Sequence, residues 1–218
     1  MDLKTLREEG NYPGSEAAFR RFVLKSEKKG LVSSVKDPTS KRKFVHLTKN
    51  GERHIGLLHS TLGFNDGTFH HDSRLSIIAR KFLEFEAIRD VELEHDLLRG
   101  KRIGRIKGHI PDAVLYGKRG ENNFTVALEL ELTAKSKTRY LEKCRYYVGS
   151  SIYDYALYFF SDLATLKNYK REIVSALGPE SQERLLLAYN TNLYQQDMKF
   201  EETEVFYMNE EVRIDEII

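Results

Sequence analysis

The sequence predicts an α/β fold of the α+β type, in which a small helical N-terminal domain precedes a larger domain built on a mixed sheet. Within residues 110–132, two stretches with the pattern of strands flank a polar, glycine-containing turn. A helical segment then leads to a near-continuous apolar run at residues 152–160. A tight turn predicts antiparallel strands, whereas a helical crossover predicts parallel strands. We therefore place the domains at residues 1–62 and 63–218.

The charge of the chain is unevenly distributed. The 218 residues are 40% hydrophobic, which is enough for a folded core, and the formal net charge is only +2. Residues 1–60 nevertheless contain thirteen Lys or Arg against seven Asp or Glu, and residues 197–218 contain two against eight. A basic beginning and an acidic end predict that a polyanion meets the N-terminal half.

Several protein classes are disfavoured by the composition. The single cysteine, Cys144, excludes an internal disulfide and a cysteine-based zinc site. The first ten residues lack the apolar core of a signal peptide. No run approaches the ~20 apolar residues of a membrane span. We expect a cytoplasmic protein that makes no contact with a membrane.

The N-terminal segment has the element order of a winged helix. Ser15 can cap a helix with apolar residues at helical spacing. Two alternating strands follow at residues 31–35 and 41–47, joined by a turn sequence, and Thr48 can cap a second helix. Helix, hairpin and helix in this order predict a winged helix-turn-helix domain.

Basic side chains cover one face of the first helix and the tip of the hairpin. They would place the helix in the major groove of double-stranded DNA and the hairpin tip on the phosphate backbone. The alternative is a solvated basic helix beside an ordinary hairpin. The predicted DNA-binding residues are Arg20, Arg21, Lys25, Lys28, Lys41, Arg42 and Lys43.

The segment between the two domains leads to a histidine-containing helix. Residues 61–69 contain two glycines and an Asn-Asp pair, which predicts a linker. His70, His71 and Asp72 then begin a helix, and imidazole and carboxylate groups are common metal ligands. Adjacent helical residues point about 100° apart, however, so the pattern favours helix capping by Asp72 and surface histidines. An extended segment and a basic loop, at residues 90–98 and 101–109, complete this region.

Three carboxylates lie on two adjacent predicted strands. Asp112 is in the strand at residues 110–116, and Glu129 and Glu131 are two apart in the strand at residues 124–132, so the two glutamates face the same side. Hard oxygen ligands suit Mg²⁺, and phosphodiester cleavage commonly uses a divalent ion. The set predicts a Mg²⁺ or Mn²⁺ site. The alternative is an amphipathic strand whose polar face is solvated.

The pattern Pro111-Asp112 followed by Glu129-Leu130-Glu131 resembles the PD-(D/E)xK signature of restriction-endonuclease-like nucleases. With a basic winged helix in front, the chain is also similar to the replication-relaxation family and to MobC-type plasmid relaxases. The resemblance extends over residues 12–60 and 70–195.

The resemblance implies a restriction-endonuclease-like mixed-sheet core and a DNA-processing hydrolase. Such a relaxase-type endonuclease nicks double-stranded DNA at an origin-type site, with Mg²⁺ or Mn²⁺, during plasmid mobilisation and conjugation. Other mobilisation or replication proteins are the further partners that it implies. The alternative is a non-catalytic DNA-binding accessory or replication-control protein with an inactive nuclease-like core. A regulator whose α/β domain binds a small ligand is a third hypothesis.

The resemblance also implies roles for single residues. Asp112, Glu129 and Glu131 become metal ligands, and Glu94 is the candidate for a fourth acid, followed by Glu92 and Glu84. The relaxase version of the signature has a lysine where this chain has Thr133, so Lys135 is the candidate catalytic cation. The predicted catalytic residues are Asp112, Glu129, Glu131 and Lys135.

Two mechanisms remain open for such a site. A metal-activated water would hydrolyse the phosphodiester. A tyrosine on the helix after the second strand, at position 140, 146 or 147, would instead form a phosphotyrosyl link. We favour hydrolysis by water.

Overall fold

The computed structural model describes residues 1–36, 42–56, 68–99, 108–193, 198–208 and 210–217. The chain forms two compact units, Met1–Phe69 and His70–Ile218. The predicted boundary between residues 62 and 63 falls in a segment that lies outside the described residues, as do most of the predicted linker and of the basic loop.

The first unit contains the predicted helix, hairpin and helix, preceded by a helix that the sequence pattern did not indicate. The hydroxyl of Ser15 accepts a hydrogen bond from the Ala18 amide, and that of Thr48 accepts one from the Gly51 amide, so both predicted caps are confirmed. The two strands are antiparallel. The elements are α1 (Leu3–Glu9), α2 (Glu16–Lys28), β1 (Val32–Lys36), β2 (Lys43–Leu47) and α3 (Lys49–His54).

The second unit is a mixed sheet with helices. Among its described helices, as among those of the first unit, none combines the length and apolarity required to cross a membrane. The elements are α4 (Phe69–Phe82), β3 (Ile88–Leu93), α5 (Glu94–Arg99), β4 (Ala113–Arg119), β5 (Asn122–Glu131), α6 (Lys137–Val148), β6 (Tyr155–Phe160), α7 (Leu163–Leu177), β7 (Leu185–Tyr189), β8 (Glu204–Tyr207), β9 (Glu210–Arg213) and α8 (Ile214–Ile217), with 3₁₀ turns at Pro179–Glu183 and Phe200–Glu202.

The described strands of this unit form one seven-stranded sheet in chain order, from β3 to β9. The strands β5, β6 and β7 are parallel and the other neighbours are antiparallel, so the predicted mixed sheet is confirmed. The turn between β4 and β5 is tighter than predicted, because β4 continues to Arg119 and β5 begins at Asn122. Gly120 has a φ of 59° in this turn, a conformation that glycine adopts without a side-chain penalty.

The predicted extended segment at residues 90–98 is only partly a strand. Strand β3 ends at Leu93, and Glu94 begins the short helix α5. The alternation of polar and apolar residues in Asp90–Leu93 continues into the next residues, although these residues form a helix. Glu94 consequently lies at a strand–helix junction rather than within a strand.

The central strands, β4 to β7, are buried on both faces of the sheet for most of their length. We call the face that packs against α4 the apolar face, and the face that packs against α6 and α7 the carboxylate face. The apolar face includes Leu75, Ile78, Phe82, Leu115, Val126, Leu128, Leu130, Leu157 and Phe159. The carboxylate face includes Val114, Ala127, Tyr140, Cys144, Tyr147, Tyr158, Phe160, Leu166 and Tyr169, together with the buried acids Glu129 and Glu131.

Candidate functional site

The three predicted acids lie together at one end of the β4–β5 pair. Ala113 pairs with Leu128, and this register places Asp112 opposite Glu129 on the neighbouring strand. Glu129 and Glu131 are 0% and 1% exposed, and the Asp112 side chain is 16% exposed. The two glutamates share one face as predicted. The alternative of a solvated strand face is wrong, because the helices that follow β5 cover it.

Glu129 receives two hydrogen bonds from α6. Lys143 Nζ donates to Oε2 at 2.6 Å, and the Tyr147 hydroxyl donates to Oε1 at 2.5 Å. Both donors reach the same carboxylate because residues four apart lie on one face of a helix. Burial and the charge of Asp112 raise the pKa of Glu129 to about 7, against the opposing effect of the Lys143 ammonium. Burial lowers the pKa of Lys143, but Glu129, Asp112 and Glu131 together raise it above its usual value, so the ammonium keeps its proton.

Glu131 is paired with the lysine that the sequence singled out. Lys135 Nζ donates to Glu131 Oε1 at 2.7 Å, and the Lys135 side chain is 23% exposed. The backbone amide of Lys135 donates to the Tyr169 hydroxyl at 3.1 Å, which fixes the segment between β5 and α6. Glu131 Oε2 is buried and finds no hydrogen-bond partner among the described residues. Burial raises the pKa of Glu131.

Asp112 is held by the neighbouring strand and by a histidine. Its Oδ2 accepts a hydrogen bond from the Leu130 amide at 2.7 Å, and His71 Nε2 lies 3.2 Å from the same oxygen. His71 Nε2 is also 3.2 Å from the Leu130 carbonyl oxygen. A carbonyl oxygen can only accept, so Nε2 carries a hydrogen. Burial raises the pKa of Asp112, but His71, the Leu130 amide and the charge of Lys143 together lower it below its usual value.

The prediction of surface histidines and of helix capping by Asp72 is therefore corrected. The side chain of His71 is 30% exposed and contacts Asp112, and its Nδ1 lies 3.4 Å from Asp72 Oδ1. Burial lowers the pKa of His71, but the hydrogen bonds to the two aspartates raise it to about 10. Asp72 lies inside the first turn of α4 and does not precede it. His70 is exposed, as expected.

Of the candidates for a fourth acid, Glu94 is nearest to the site. Its backbone amide donates to the Asp112 carbonyl at 2.8 Å, although its side chain is exposed. Partial burial and the charges of Asp112 and Asp72 raise the pKa of Glu94. Glu92 instead accepts a hydrogen bond from the Tyr116 hydroxyl at 2.6 Å, and Glu84 pairs with a lysine on α4 at 3.0 Å.

The tyrosines of α6 are poorly placed to act as nucleophiles. Tyr147 and Tyr140 are 1% and 2% exposed, and the Tyr140 ring stacks on Tyr169 at a centroid distance of 3.9 Å. Burial raises the pKa of Tyr147, which disfavours the phenolate that would attack a phosphodiester. Tyr146 packs its ring edge-on against His109. This arrangement agrees with the preference for water as the attacking group.

The predicted DNA-binding residues differ in exposure. Arg20, Arg21, Lys25 and Lys28 are exposed on α2, and Arg20 pairs with Glu16 one turn away. Arg42 and Lys43 are half-buried, and Lys43 Nζ contacts Glu27 of α2 at 2.9 Å, which ties the hairpin to the helix. Lys41 lies outside the described residues.

Two groups at the site were missed in the sequence. Lys143 was one of several basic residues on a predicted helix, and nothing in its immediate neighbours marks it. A usable signal was present in the spacing: Tyr140, Lys143, Cys144 and Tyr147 recur at the intervals that put residues on the inner face of a helix. His71 had no comparable signal, because its contact with Asp112 joins residues 41 positions apart.

The acids have the chemistry of ligands for a divalent ion, but their present arrangement does not form a metal site. In the described parts of the chain, no group of three or more histidine, cysteine, aspartate or glutamate side chains is arranged to hold a metal ion. The side chains nevertheless have the right chemistry for such an ion, because carboxylate oxygens are the ligands that Mg²⁺ and Mn²⁺ prefer. The buried Oε2 of Glu131 also has no described hydrogen-bond donor. In the present arrangement, lysine and histidine contact the oxygens that a metal ion would use.

No family model, curated protein or solved structure matches this chain. Its function must therefore be inferred from its own residues.

Proposed function

We propose that this chain is a divalent-metal-dependent endonuclease that nicks double-stranded DNA. The observation that carries this proposal is the placement of Asp112, immediately before β4, beside Glu129 of β5, with the Lys143 ammonium 2.6 Å from the glutamate. Two acids can hold a divalent ion that assists phosphodiester cleavage, and a neighbouring ammonium can stabilise the charge on the phosphate. The order β4, tight turn, β5, helix α6 and parallel strand β6 also agrees with the resemblance to restriction-endonuclease-like cores.

Asp112 and Glu129 would hold the metal ion, with the unpartnered Oε2 of Glu131 as a further oxygen. When bound, a divalent ion polarises the phosphate and lowers the pKa of a coordinated water. The Leu130 amide orients the Asp112 carboxylate, and the Tyr147 hydroxyl orients that of Glu129. These buried contacts fix both carboxylates in position before DNA arrives.

Lys143 is the cation that we assign to the phosphate. Its side chain is 12% exposed and lies against Glu129, whereas Thr133, at the position of the expected lysine, is exposed and uncharged. An ammonium at this place can stabilise the charge that develops on a phosphate oxygen during cleavage. Lys135 then has a different task, which is to neutralise Glu131 through their contact at 2.7 Å.

The first unit would supply affinity for DNA. The four exposed basic residues of α2 can neutralise phosphates, and such contacts make binding depend steeply on salt concentration. The setting that the resemblance implies is nicking at the origin of a plasmid in the cytoplasm, together with other mobilisation or replication proteins. Replacing Arg21 and Lys25 together by alanine tests this role, because DNA binding should weaken and its salt dependence should decrease.

The test of the proposed activity is nicking of supercoiled plasmid DNA that carries the chain's own origin, in Mg²⁺ or Mn²⁺. Asp112→Asn and Glu129→Gln keep the shape of each side chain and should each reduce the nicking rate by at least about 100-fold. Asp154→Asn is the matched control, since Asp154 also bonds β5, through the Thr125 amide at 2.7 Å, but at the opposite end of the strand. Wild-type nicking that persists in both active-site variants would contradict the proposal.

The second candidate is a DNA-binding accessory protein whose nuclease-like core is inactive. The observation that favours it is the saturation of Glu129, whose two oxygens already accept hydrogen bonds from Lys143 and Tyr147. DNA binding by the wild type without nicking in either metal, at any concentration of the ion, would favour this candidate.

A further inference from the structure

His71 places a cationic side chain against the oxygens of the candidate site. Its Nε2 is 3.2 Å from Asp112 Oδ2 and 3.2 Å from the Leu130 carbonyl oxygen, so one N–H group is shared between an oxygen of β5 and the carboxylate that precedes β4. Its Nδ1 lies 3.4 Å from Asp72 Oδ1. Both ring nitrogens face oxygen acceptors, and only the imidazolium form has a hydrogen on each.

We propose that His71 is a resident cation that occupies the Asp112 and Leu130 oxygens in the metal-free protein, and that a divalent ion binds by displacing it. This inference rests on the proposed function for the identity of the site. The Nε2–H group of His71 competes with a metal ion for the lone pairs of Asp112 Oδ2 and of the Leu130 carbonyl that it occupies. The histidine therefore weakens metal binding, and it keeps Asp112 paired with a charge until the metal arrives.

The three cationic side chains at the site differ in how readily they can leave. Lys143 is 12% exposed and Lys135 is 23% exposed, whereas His71 is 30% exposed. The two lysines contact glutamates that are fully buried, so their departure would leave a charge in the core. His71 lies in the first turn of α4, and Asp72 beside it has a side chain that is 64% exposed. The imidazolium can thus turn toward Asp72 and solvent while the metal takes its place.

The test is the affinity of the full chain for Mn²⁺ alone, measured by titration calorimetry and by the electron paramagnetic resonance signal of free Mn²⁺. Removing a competing cation in His71→Ala should tighten Mn²⁺ binding by about 5- to 100-fold, the usual range of coupling between interacting ligands. His71→Gln retains a neutral hydrogen-bond donor and should give an intermediate gain. His70→Ala, on the same turn of the helix but exposed, should leave the affinity unchanged.

The opposite result has a clear meaning. If His71 only supports Asp112, its removal should weaken Mn²⁺ binding by about 10- to 100-fold, as loss of a supporting hydrogen bond to a metal ligand does. Affinity that falls or stays the same in His71→Ala and His71→Gln would overturn the inference. Thermal unfolding of each variant without metal shows whether it is folded. If His71→Ala is not folded, the Mn²⁺ affinity of His71→Gln decides between the two outcomes.

Failure of this inference can be told apart from failure of the proposed function. Tighter Mn²⁺ binding in His71→Ala that is lost in the double variant with Asp112→Asn supports displacement, even if the wild type nicks no DNA. Conversely, suppose that nicking is lost in Asp112→Asn and that the Mn²⁺ affinity of His71→Ala equals that of the wild type. This result supports the nuclease and overturns the displacement.

Discussion

The two faces of strand β5 are equally buried but differ in what their burial does for stability. Leu128 on the apolar face and Glu129 on the carboxylate face are both 0% exposed. Burying a leucine stabilises a fold by about 1.5–3 kcal/mol. Burying an ionised carboxylate opposes folding unless a partner and hydrogen bonds compensate for lost hydration. The apolar face is explained by stability, whereas the carboxylate face is not, and the proposed reaction site is our explanation for it.

The largest effect is expected from breaking a buried pair on the carboxylate face. Glu129→Ala leaves the Lys143 ammonium and the Tyr147 hydroxyl without their acceptor, so we expect a loss of about 3–5 kcal/mol in the free energy of unfolding. Urea unfolding followed by circular dichroism measures it. A loss below about 1 kcal/mol would mean that Lys143 reaches water easily and that the site is not closed.

On the apolar face, Leu128→Ala is the matched change one position away. It removes buried methyl and methylene groups and leaves a cavity, for a loss of about 2–5 kcal/mol. Unlike Glu129→Ala, it should leave the affinity for Mn²⁺ unchanged at temperatures where the variant is folded. A change in Mn²⁺ affinity would show that the two faces are not independent.

Lys143→Met tests the role of the ammonium in catalysis. It should also lower stability, because it leaves the buried Glu129 without its cationic partner, so nicking is measured at a temperature where the variant is folded. The thioether side chain fills the same space without the charge, and we expect the nicking rate to fall by about 100-fold. Lys137→Met is the control, because Lys137 lies on the same helix but is 61% exposed and pairs with Glu172 of α7. Equal rates for wild type and Lys143→Met would remove Lys143 from the proposed mechanism.

The pH dependence of stability should report the contact between His71 and Asp112. The folded protein raises the pKa of His71 from 6.5 to about 10, so the stabilisation is complete below pH 6.5 and is lost as the pH rises toward 10. We expect His71→Gln to lower the free energy of unfolding by about 1–2 kcal/mol at pH 6. The difference from wild type should shrink by pH 10, and His70→Gln should show none. A difference that does not vary with pH would contradict an imidazolium at this place.

The smallest change in stability is expected when both partners of a buried pair become apolar. The double variant Glu129→Leu with Lys143→Met should have a free energy of unfolding within about 1 kcal/mol of wild type, because avoiding the desolvation of two charges offsets the hydrogen bond that the Tyr147 hydroxyl loses. Its nicking activity should be absent. A double variant as unstable as Glu129→Ala would show that the pair itself stabilises the fold and would weaken the case for a reaction site.

Local features of the fold could be predicted from the sequence because they depend on neighbouring residues. The caps Ser15 and Thr48 and the shared face of Glu129 and Glu131 follow from residue type and local spacing. A period of two assigns residues to a face but does not say what covers that face. The burial of the glutamates under α6 was therefore missed.

Contacts between distant residues account for the rest of what the sequence left open. Lys143 meets Glu129 from 14 positions away, and His71 meets Asp112 from 41 positions away. Such pairs are selected by the packing of helices on the sheet, which one sequence does not reveal. The conversion of the predicted extended segment into α5 after Leu93 is another case in which tertiary packing overrides an alternating pattern.

The most direct test of the carboxylate face is anomalous diffraction at the manganese absorption edge, from crystals grown with Mn²⁺. We predict one strong anomalous peak between the carboxylates of Asp112 and Glu129, with His71 turned away from the Leu130 carbonyl. Absence of a peak there at saturating Mn²⁺, with His71 and Lys143 still on their carboxylates, would contradict a metal site at this end of the sheet.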